Sequence, residues 1–355
     1  MPNTYKILIM GASYGSLLGT KLLAAGHDVT LVCRPATAEI INRDGTCVAL
    51  PVKGRRTVAV ESKQLAGTLS AAAPPAVDPA GYDLVALAMQ EPQYGAPGVR
   101  ELLDRVARAQ VPCMSIMNMP PLPYLERVPG LHTEPLRSCY DDPTVWQNFD
   151  PALMTLCSPD PQAFRPPEEP INHLRVTLPT NFKVARFASD AHTAMLRRLE
   201  EEIEQYRHEL DGEPVDLPVK LRVHDSVFVP LAKWAMLLTG NYRCITRLGP
   251  RSIKDAVHGD IEESRAVYTW VRDLCVALGA APEDLVPFEK YAAAAEGLSR
   301  PSSGARALYA GAPSIERVDR LVQGIAAQLG RHNPVVDETV AAVDSGLAGN
   351  RRAAA

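Results

Sequence analysis

The stretch that most constrains this chain is Lys6 to Arg34, KILIMGASYGSLLGTKLLAAGHDVTLVCR. Lys6 to Met10 is a short apolar run without a breaker, the pattern of a buried strand. Gly11 and Gly15 bracket a tight turn. Leu17, Leu18, Leu22 and Leu23 then recur at helical spacing, Gly26 is placed to end the helix, and Val29 to Val32 starts a second strand. Such a strand–turn–helix aims backbone N–H groups and a positive helix terminus at a phosphate. The turn, Gly11-Ala12-Ser13-Tyr14-Gly15, is shorter than the usual G-x-G-x-x-G, so its position between strand and helix carries the reading. These five residues are the expected pyrophosphate contacts; the bland alternative is a βαβ turn that holds no ligand.

Arg34 closes the second strand, where a dinucleotide fold reads the ribose. An acidic residue there would accept the 2′-hydroxyl of NAD; an arginine suits a 2′-phosphate through a charge-assisted fork. Cys33 and Arg34 leave no carboxylate at that point. NADP is therefore the expected cofactor, set against an arginine that is merely exposed at a strand end.

With 355 residues, of which 46% are hydrophobic, two domains are expected. The net charge of −4 offers no basic excess for nucleic acid. Seven scattered cysteines form no C-x-x-C pair, and the eight histidines show no metal-ligand spacing. No leader-like segment and no apolar run of membrane-spanning length is visible, which gives the expectation of a cytoplasmic protein without membrane or nucleic-acid partners.

Strands and helices alternate to about residue 117, which predicts α/β architecture with an open parallel sheet. A short helix is expected over Ala36–Asn42, strands over Cys47–Leu50, Thr57–Val60, Tyr82–Met89 and Val111–Met117, and a helix over Val99–Ala109. Residues 66–80, rich in Ala and Pro, read as a loop. Thirteen prolines between Pro120 and Pro179 break the rhythm and predict loops and short strands within the first domain, the best of them in Leu174–Phe187. From Asp190 the chain reads as helical: 191–210, 226–246, 258–279, 286–297, 315–329 and 335–346. The expected boundaries are a nucleotide-binding domain over 1–188, a helical substrate domain over 189–348 and a frayed tail over 349–355.

In Val229–Ile245, VPLAKWAMLLTGNYRCI, Lys233, Leu237 and Asn241 lie four apart and would share one face of an α-helix. A lysine in apolar surroundings has its pKa lowered and becomes a proton donor near neutral pH. The alternative is a lysine whose stem packs on Trp234 while its ammonium reaches water.

The order of glycine turn, arginine after the second strand, Asn118 at the end of MSIMN, and Lys233 with Asn241 eight residues on resembles the ketopantoate reductase family, NADP-dependent 2-oxo-acid reductases. The resemblance implies a Rossmann-like N-terminal domain followed by an all-α domain of the 6-phosphogluconate dehydrogenase C-terminal type. It implies that Lys233 is the general acid, that Asn118 contacts cofactor and substrate, and that Asn241 holds the substrate. Ser302-Ser303-Gly304 and Ser314-Ile315-Glu316 resemble the family's Ser-Ser-Met and Thr-Glu-Ile stretches. Ser303 would then bind the substrate carboxylate and Glu316 would orient lysine and substrate. The alternative makes Ser314 a helix cap with Glu316 in the first turn. Three departures stand out: the shortened glycine turn, Gln90 where the family has lysine near the cofactor, and Leu237 in place of a substrate-binding asparagine. Losing that amide relaxes discrimination and makes ketopantoate itself a poor candidate substrate.

The expected protein is an NADPH-dependent reductase of a small carbonyl compound, a 2-oxo acid or ketone, in an assembly that could be a homodimer. An opine-type dehydrogenase that reduces an imine, with His224-Asp225 as its pair, and a non-catalytic NADP-binding sensor are the alternatives.

Overall fold

The structure, a computed structural model, describes residues 4–354. Two compact units divide the chain. The first comprises residues up to Met89, Gln93–Tyr124 and Thr144–Asp225; the second comprises Gln90–Pro92, Leu125–Pro143 and residues from Ser226 on.

The first unit is built on an eight-stranded sheet. Its strands, with those of a smaller sheet, run β1 Lys6–Met10, β2 Asp28–Val32, β3 Cys47–Pro51, β4 Thr57–Glu61, β5 Leu69–Ala72, β6 Leu84–Leu87, β7 Cys113–Ile116, β8 Met154–Ser158, β9 Gln162–Phe164, β10 His173–Leu178, β11 Phe182–Ala185, β12 His208–Leu210, β13 Glu213–Val215 and β14 Leu221–His224. The large sheet has the order β14-β11-β8-β7-β6-β1-β2-β5. Every neighbouring pair is parallel except β8 with β11. The second sheet is β4-β3-β10-β9, and β12 pairs with β13 as a small hairpin.

The helices of this unit are α1 Gly15–Ala24, α2 Pro35–Asp44, α3 Val99–Ala109 and α5 Asp190–Gln205; α4, Leu122–Leu125, is a single turn. Along β1, Ile7 and Ile9 join one apolar core with Leu17 and Leu22 of α1, Val48 and Val60 of the smaller sheet, and Leu196, Leu199 and Ile203 of α5. Leu8 and Met10 alternate to the other face and are also buried. A strand buried on both faces must read as a continuous apolar run, and that is why KILIM was legible as one.

Four expectations require correction. The boundary at 188 moves to Asp225, because α5 buries its apolar stripe in the first unit's core and β14 pairs in parallel with β11. Residues 66–80 are not all loop: β5 lies there and pairs with β2. Its Leu-Ser-Ala-Ala sequence has little strand propensity of its own. Asn42 of α2 holds it instead, donating to Ala71 O at 2.8 Å and accepting from Ala71 N–H at 2.7 Å. The proline-rich segment is not one insertion: Leu125–Pro143 belongs to the second unit, while β8 crosses the first between Pro151 and Pro159, which stay outside the strand. The tail is not frayed where it is described, since it continues the last helix to Ala354.

The second unit is helical: α6 Lys233–Met236, α7 Ile253–His258, α8 Ile261–Ala277, α9 Phe288–Ala295, α10 Ser303–Tyr309, α11 Val318–Gln328 and α12 Pro334–Ala354. The expected single helix over 226–246 is also corrected. The segment is a 3₁₀ turn at Pro230–Ala232, one α-turn at Lys233–Met236, a π-helical turn at Leu237–Asn241 and a closing 3₁₀ turn at Tyr242–Cys244.

Candidate active site

In the first unit, the expected nucleotide contacts follow the C-terminal ends of parallel strands, the edge at which open α/β sheets take ligands. Gly11 follows β1 with φ +109°, and its N–H donates to Val32 O of β2 at 3.0 Å. A Cβ at Gly11 would lie 2.7 Å from Ala88 O and 2.7 Å from Met89 Cγ, so neither the dihedral nor the space admits another residue. Gly15 is equally confined, with its Cβ position 2.6 Å from Ile9 Cγ2. Ala12 is buried and Ser13 exposed. The helical ladder begins only with Ser16 N–H to Ser13 O and Leu17 N–H to Tyr14 O. The earlier N–H groups stand outside it, as at any helix start.

Tyr14 has a structural partner that the sequence did not reveal. Its hydroxyl donates to Pro161 O at 2.7 Å, its ring meets Phe182 edge-on, and burial pushes its phenol well above the ordinary value. This bond ties the glycine turn to the loop that enters β9. The residue after β9 is Arg165. Burial pushes the Cys33 thiol up while the Arg165 and Arg34 guanidiniums oppose the shift. Arg165 itself is pushed down by burial, eased by Cys33 and reinforced by Arg34. Arg34 is exposed at the start of α2. Among the described residues neither arginine has a carboxylate partner. Two like charges thus gather at the end of β2 with no anion to balance them. Arg165 lies some 130 positions from Arg34 in sequence, inside the proline-rich segment, and no local motif marks it. Asn118 stands half-buried two residues past β7.

In the second unit the decisive feature is the π-turn. Leu237 N–H still bonds to Lys233 O, as in an α-helix, but Tyr242 N–H bonds to Leu237 O, five residues back. Lys233 and Leu237 therefore keep the α spacing, while Asn241 is rotated out of line with Leu237 by the widened turn. π-turns inside helices concentrate at functional sites. Lys233 and Asn241 are half-buried, and Leu237 and Trp234 are buried. Gln90, the predicted cofactor contact after β6, groups with this unit.

The π-turn is tied to Glu316. The Tyr242 hydroxyl donates to Glu316 O and accepts from Val318 N–H at 3.0 Å, so one side chain fixes the backbone on both sides of residue 317. Arg317 forks onto buried Asp319 at 3.0 and 2.9 Å and also reaches Asp344. Glu316 is buried, and α11 begins after Arg317, so Ser314 is not that helix's cap. Near Asn241 the contact is made by Ser302 rather than Ser303. Ser302 Oγ donates to Asn241 O at 2.7 Å and caps α10 by accepting from Ala305 N–H at 3.1 Å; Ser303 is exposed. Lys233, Asn241, Ser302 and Glu316 thus sit on one bonded framework, in which Tyr242 and Ser302 were missed by sequence reasoning.

No described group of His, Cys, Asp or Glu is arranged to hold a metal ion, and the seven cysteines are free thiols. No described helix is long and apolar enough to cross a membrane.

Comparison with known proteins places the fold. Residues 7–106 match the family model described as ketopantoate reductase PanE/ApbA. A 2-dehydropantoate 2-reductase from Methylococcus capsulatus superposes with a TM-score of 0.64 at 14% identity, covering 97% of both chains. The fold is that of the ketopantoate reductases. A D-mandelate dehydrogenase with NADH and anilino(oxo)acetate gives a TM-score of 0.63 at 15% identity, covering 98% of this chain and 99% of the other. A dimeric ketopantoate reductase from Staphylococcus aureus gives 0.60 at 11% identity over 97% and 99%. No curated protein matches the sequence. The ketopantoate reductase resemblance is thereby shown for the fold and, through the match over residues 7–106, for the stretch that holds the glycine turn and Arg34.

Proposed function

We propose that this protein is an NADPH-dependent reductase of a small carbonyl compound, a 2-oxo acid or ketone, with Lys233 as the general acid. The observation that carries the reading is the Tyr242 tie between the Lys233–Asn241 segment and the Glu316 loop. It holds on one framework the lysine, amide and carboxylate that the family resemblance assigns to catalysis.

The dinucleotide fits the donors present. The N–H groups at the start of α1 suit a pyrophosphate, and the Arg34–Arg165 pair suits a 2′-phosphate. A nicotinamide dinucleotide supplies the hydride when bound; the protein supplies position and electrostatics. Lys233 gives its proton to the carbonyl oxygen as negative charge develops there. Asn241 and Asn118 orient the substrate, and Glu316 holds the lysine toward it. The fold accommodates NADH as well, as in the mandelate dehydrogenase, so the preference for NADPH rests on the two arginines. A homodimer is the proposed assembly, on the precedent of the dimeric Staphylococcus aureus enzyme.

The test is NADPH oxidation over a panel of 2-oxo acids, aldehydes, ketones and imines. Turnover of a 2-oxo acid or ketone without amine supports the reading. Turnover only with added amine makes the protein an imine reductase, and tight NADPH binding with no turnover makes it a sensor.

A further inference from the structure

Glu91 is a second buried carboxyl in the Glu316 framework, and no motif along the chain singles it out. It opens the 3₁₀ turn Glu91–Gly95, is only 2% exposed, and lies in the same unit as Glu316. Its backbone N–H donates to Glu316 Oε1 at 3.4 Å. Its own carboxyl accepts from Asp141 N–H at 3.2 and 3.3 Å. The charged groups that act on it are the Asp141, Glu316 and Asp142 carboxylates, and the buried Tyr140 phenol lies close enough to feel its charge. Burial first, and these carboxylates next, push Glu91 up to about 8 despite the opposing Asp141 N–H bonds. Like charges in one buried site cannot all ionise together.

We propose that Glu91 is a positioning residue for Glu316: its backbone N–H holds the Glu316 carboxyl while its own carboxyl, anchored on Asp141 N–H, sits in the same buried site, so that Glu91 governs how Glu316 is held toward Lys233. The inference rests on the proposed role of Lys233 and Glu316. When Glu91 ionises, a negative charge arrives beside the Glu316 carboxyl, disturbs its hold on that N–H and costs the lysine its alignment. Turnover then falls with rising pH, whereas NADPH binding, made mainly by the first unit, does not.

Glu91→Gln keeps the shape and an acceptor for Asp141 but cannot ionise. Two readouts separate this inference from the reading beneath it. The first is thermal stability, which needs no turnover. A carboxyl raised above its unfolded value contributes stability that is complete below about 4.5 and is lost as pH rises through about 8. The Tm of Glu91→Gln relative to wild type should therefore climb by a few degrees across that window and level off above it. A difference that stays constant with pH overturns the inference. The second is the pH profile of kcat on the best carbonyl substrate. Wild type should lose activity as Glu91 ionises, and Glu91→Gln should carry that alkaline limb to higher pH with an unchanged KM for NADPH. Coincident limbs in the two proteins overturn the positioning role even if Glu91 titrates as described. Failure of Lys233→Ala to lower kcat would instead remove the reading beneath, leaving the stability result to stand by itself.

Discussion

Gly240 leaves the space that the Tyr291 hydroxyl fills. A Cβ at 240 would sit 2.1 Å from Tyr291 Oη, and that hydroxyl donates to Met236 O at 3.0 Å, at the point where the helix widens into its π-turn. The absent side chain therefore has a role in the shape of the segment that carries Lys233 and Asn241.

Gly240→Ala should accordingly destabilise the protein by about 1–3 kcal/mol, the range for overpacking a filled core. Tyr291 would have to withdraw from Met236 O, since the methyl also meets Ile253 Cγ2 at 3.0 Å. Chemical denaturation would measure the loss. Tyr291→Phe relieves only the clash with the hydroxyl, so the double variant should recover part of the stability; no recovery would mean that Ile253, not Tyr291, limits the space.

Arg34 and Arg165 should both be needed for the choice of cofactor. Either one changed to Ala should erode the preference for NADPH over NADH by roughly 1–3 kcal/mol, the scale of a hydrogen bond to a charged group. The two losses should not simply add, because the groups share one phosphate. Equal wild-type affinities for NADPH and NADH, measured by calorimetry, would refute the assignment.

Leu237 should limit ketopantoate turnover. It is buried at the start of the π-turn, one α-turn after Lys233, where the family resemblance places a substrate amide. Leu237→Asn should raise kcat/KM for ketopantoate. Efficient reduction of ketopantoate by the wild type would sink this prediction.

Lys233→Ala should lower kcat by about 10²–10⁴-fold, the usual effect of removing a positioned acid. NADPH affinity should change little, because its proposed contacts are made mainly in the other unit. Lys233→Arg should not rescue, since a guanidinium keeps its proton and has a different shape. Near-normal kcat in Lys233→Ala on the best substrate would make the lysine structural.

Lys21 supplies a pH test of the first unit. Burial in α1, with Lys220 reinforcing it and Asp216 opposing, pushes its ammonium down to about 7, and its Nζ donates to Pro218 O. A lysine depressed from 10.5 to about 7 contributes stability that is present above 10.5 and lost as pH falls through about 7. Lys21→Met should therefore compare best with wild type near neutral pH and progressively worse as pH rises toward 10.5, read as the difference in Tm. A pH-independent difference would show that Lys21 titrates normally.

The sequence by itself determined the parts whose physics is local. KILIM is continuous because β1 is buried on both faces. Gly11 and Gly15 are required by a positive dihedral and by contacts within a few ångströms. Arg34 follows its strand directly, and α3 was read to its end residues from the spacing of Leu102, Leu103 and Val106. What tertiary structure decided depends on partners distant in the chain. β5 is a strand because β2 and Asn42 hold its backbone, not because Leu-Ser-Ala-Ala prefers that state. The domain boundary lies at Asp225 because α5 and β14 find the first unit's core and sheet, which no linker composition signals. The regular helix expected through Lys233, Leu237 and Asn241 was the local default; the π-turn arises where Gly240 admits Tyr291 from α9, some fifty residues on. Arg165, Ser302, Tyr242 and Glu91 escaped notice for the same reason. Their significance is a position beside another residue in space, and the spacing of residues along a chain records only neighbours within a turn or a strand.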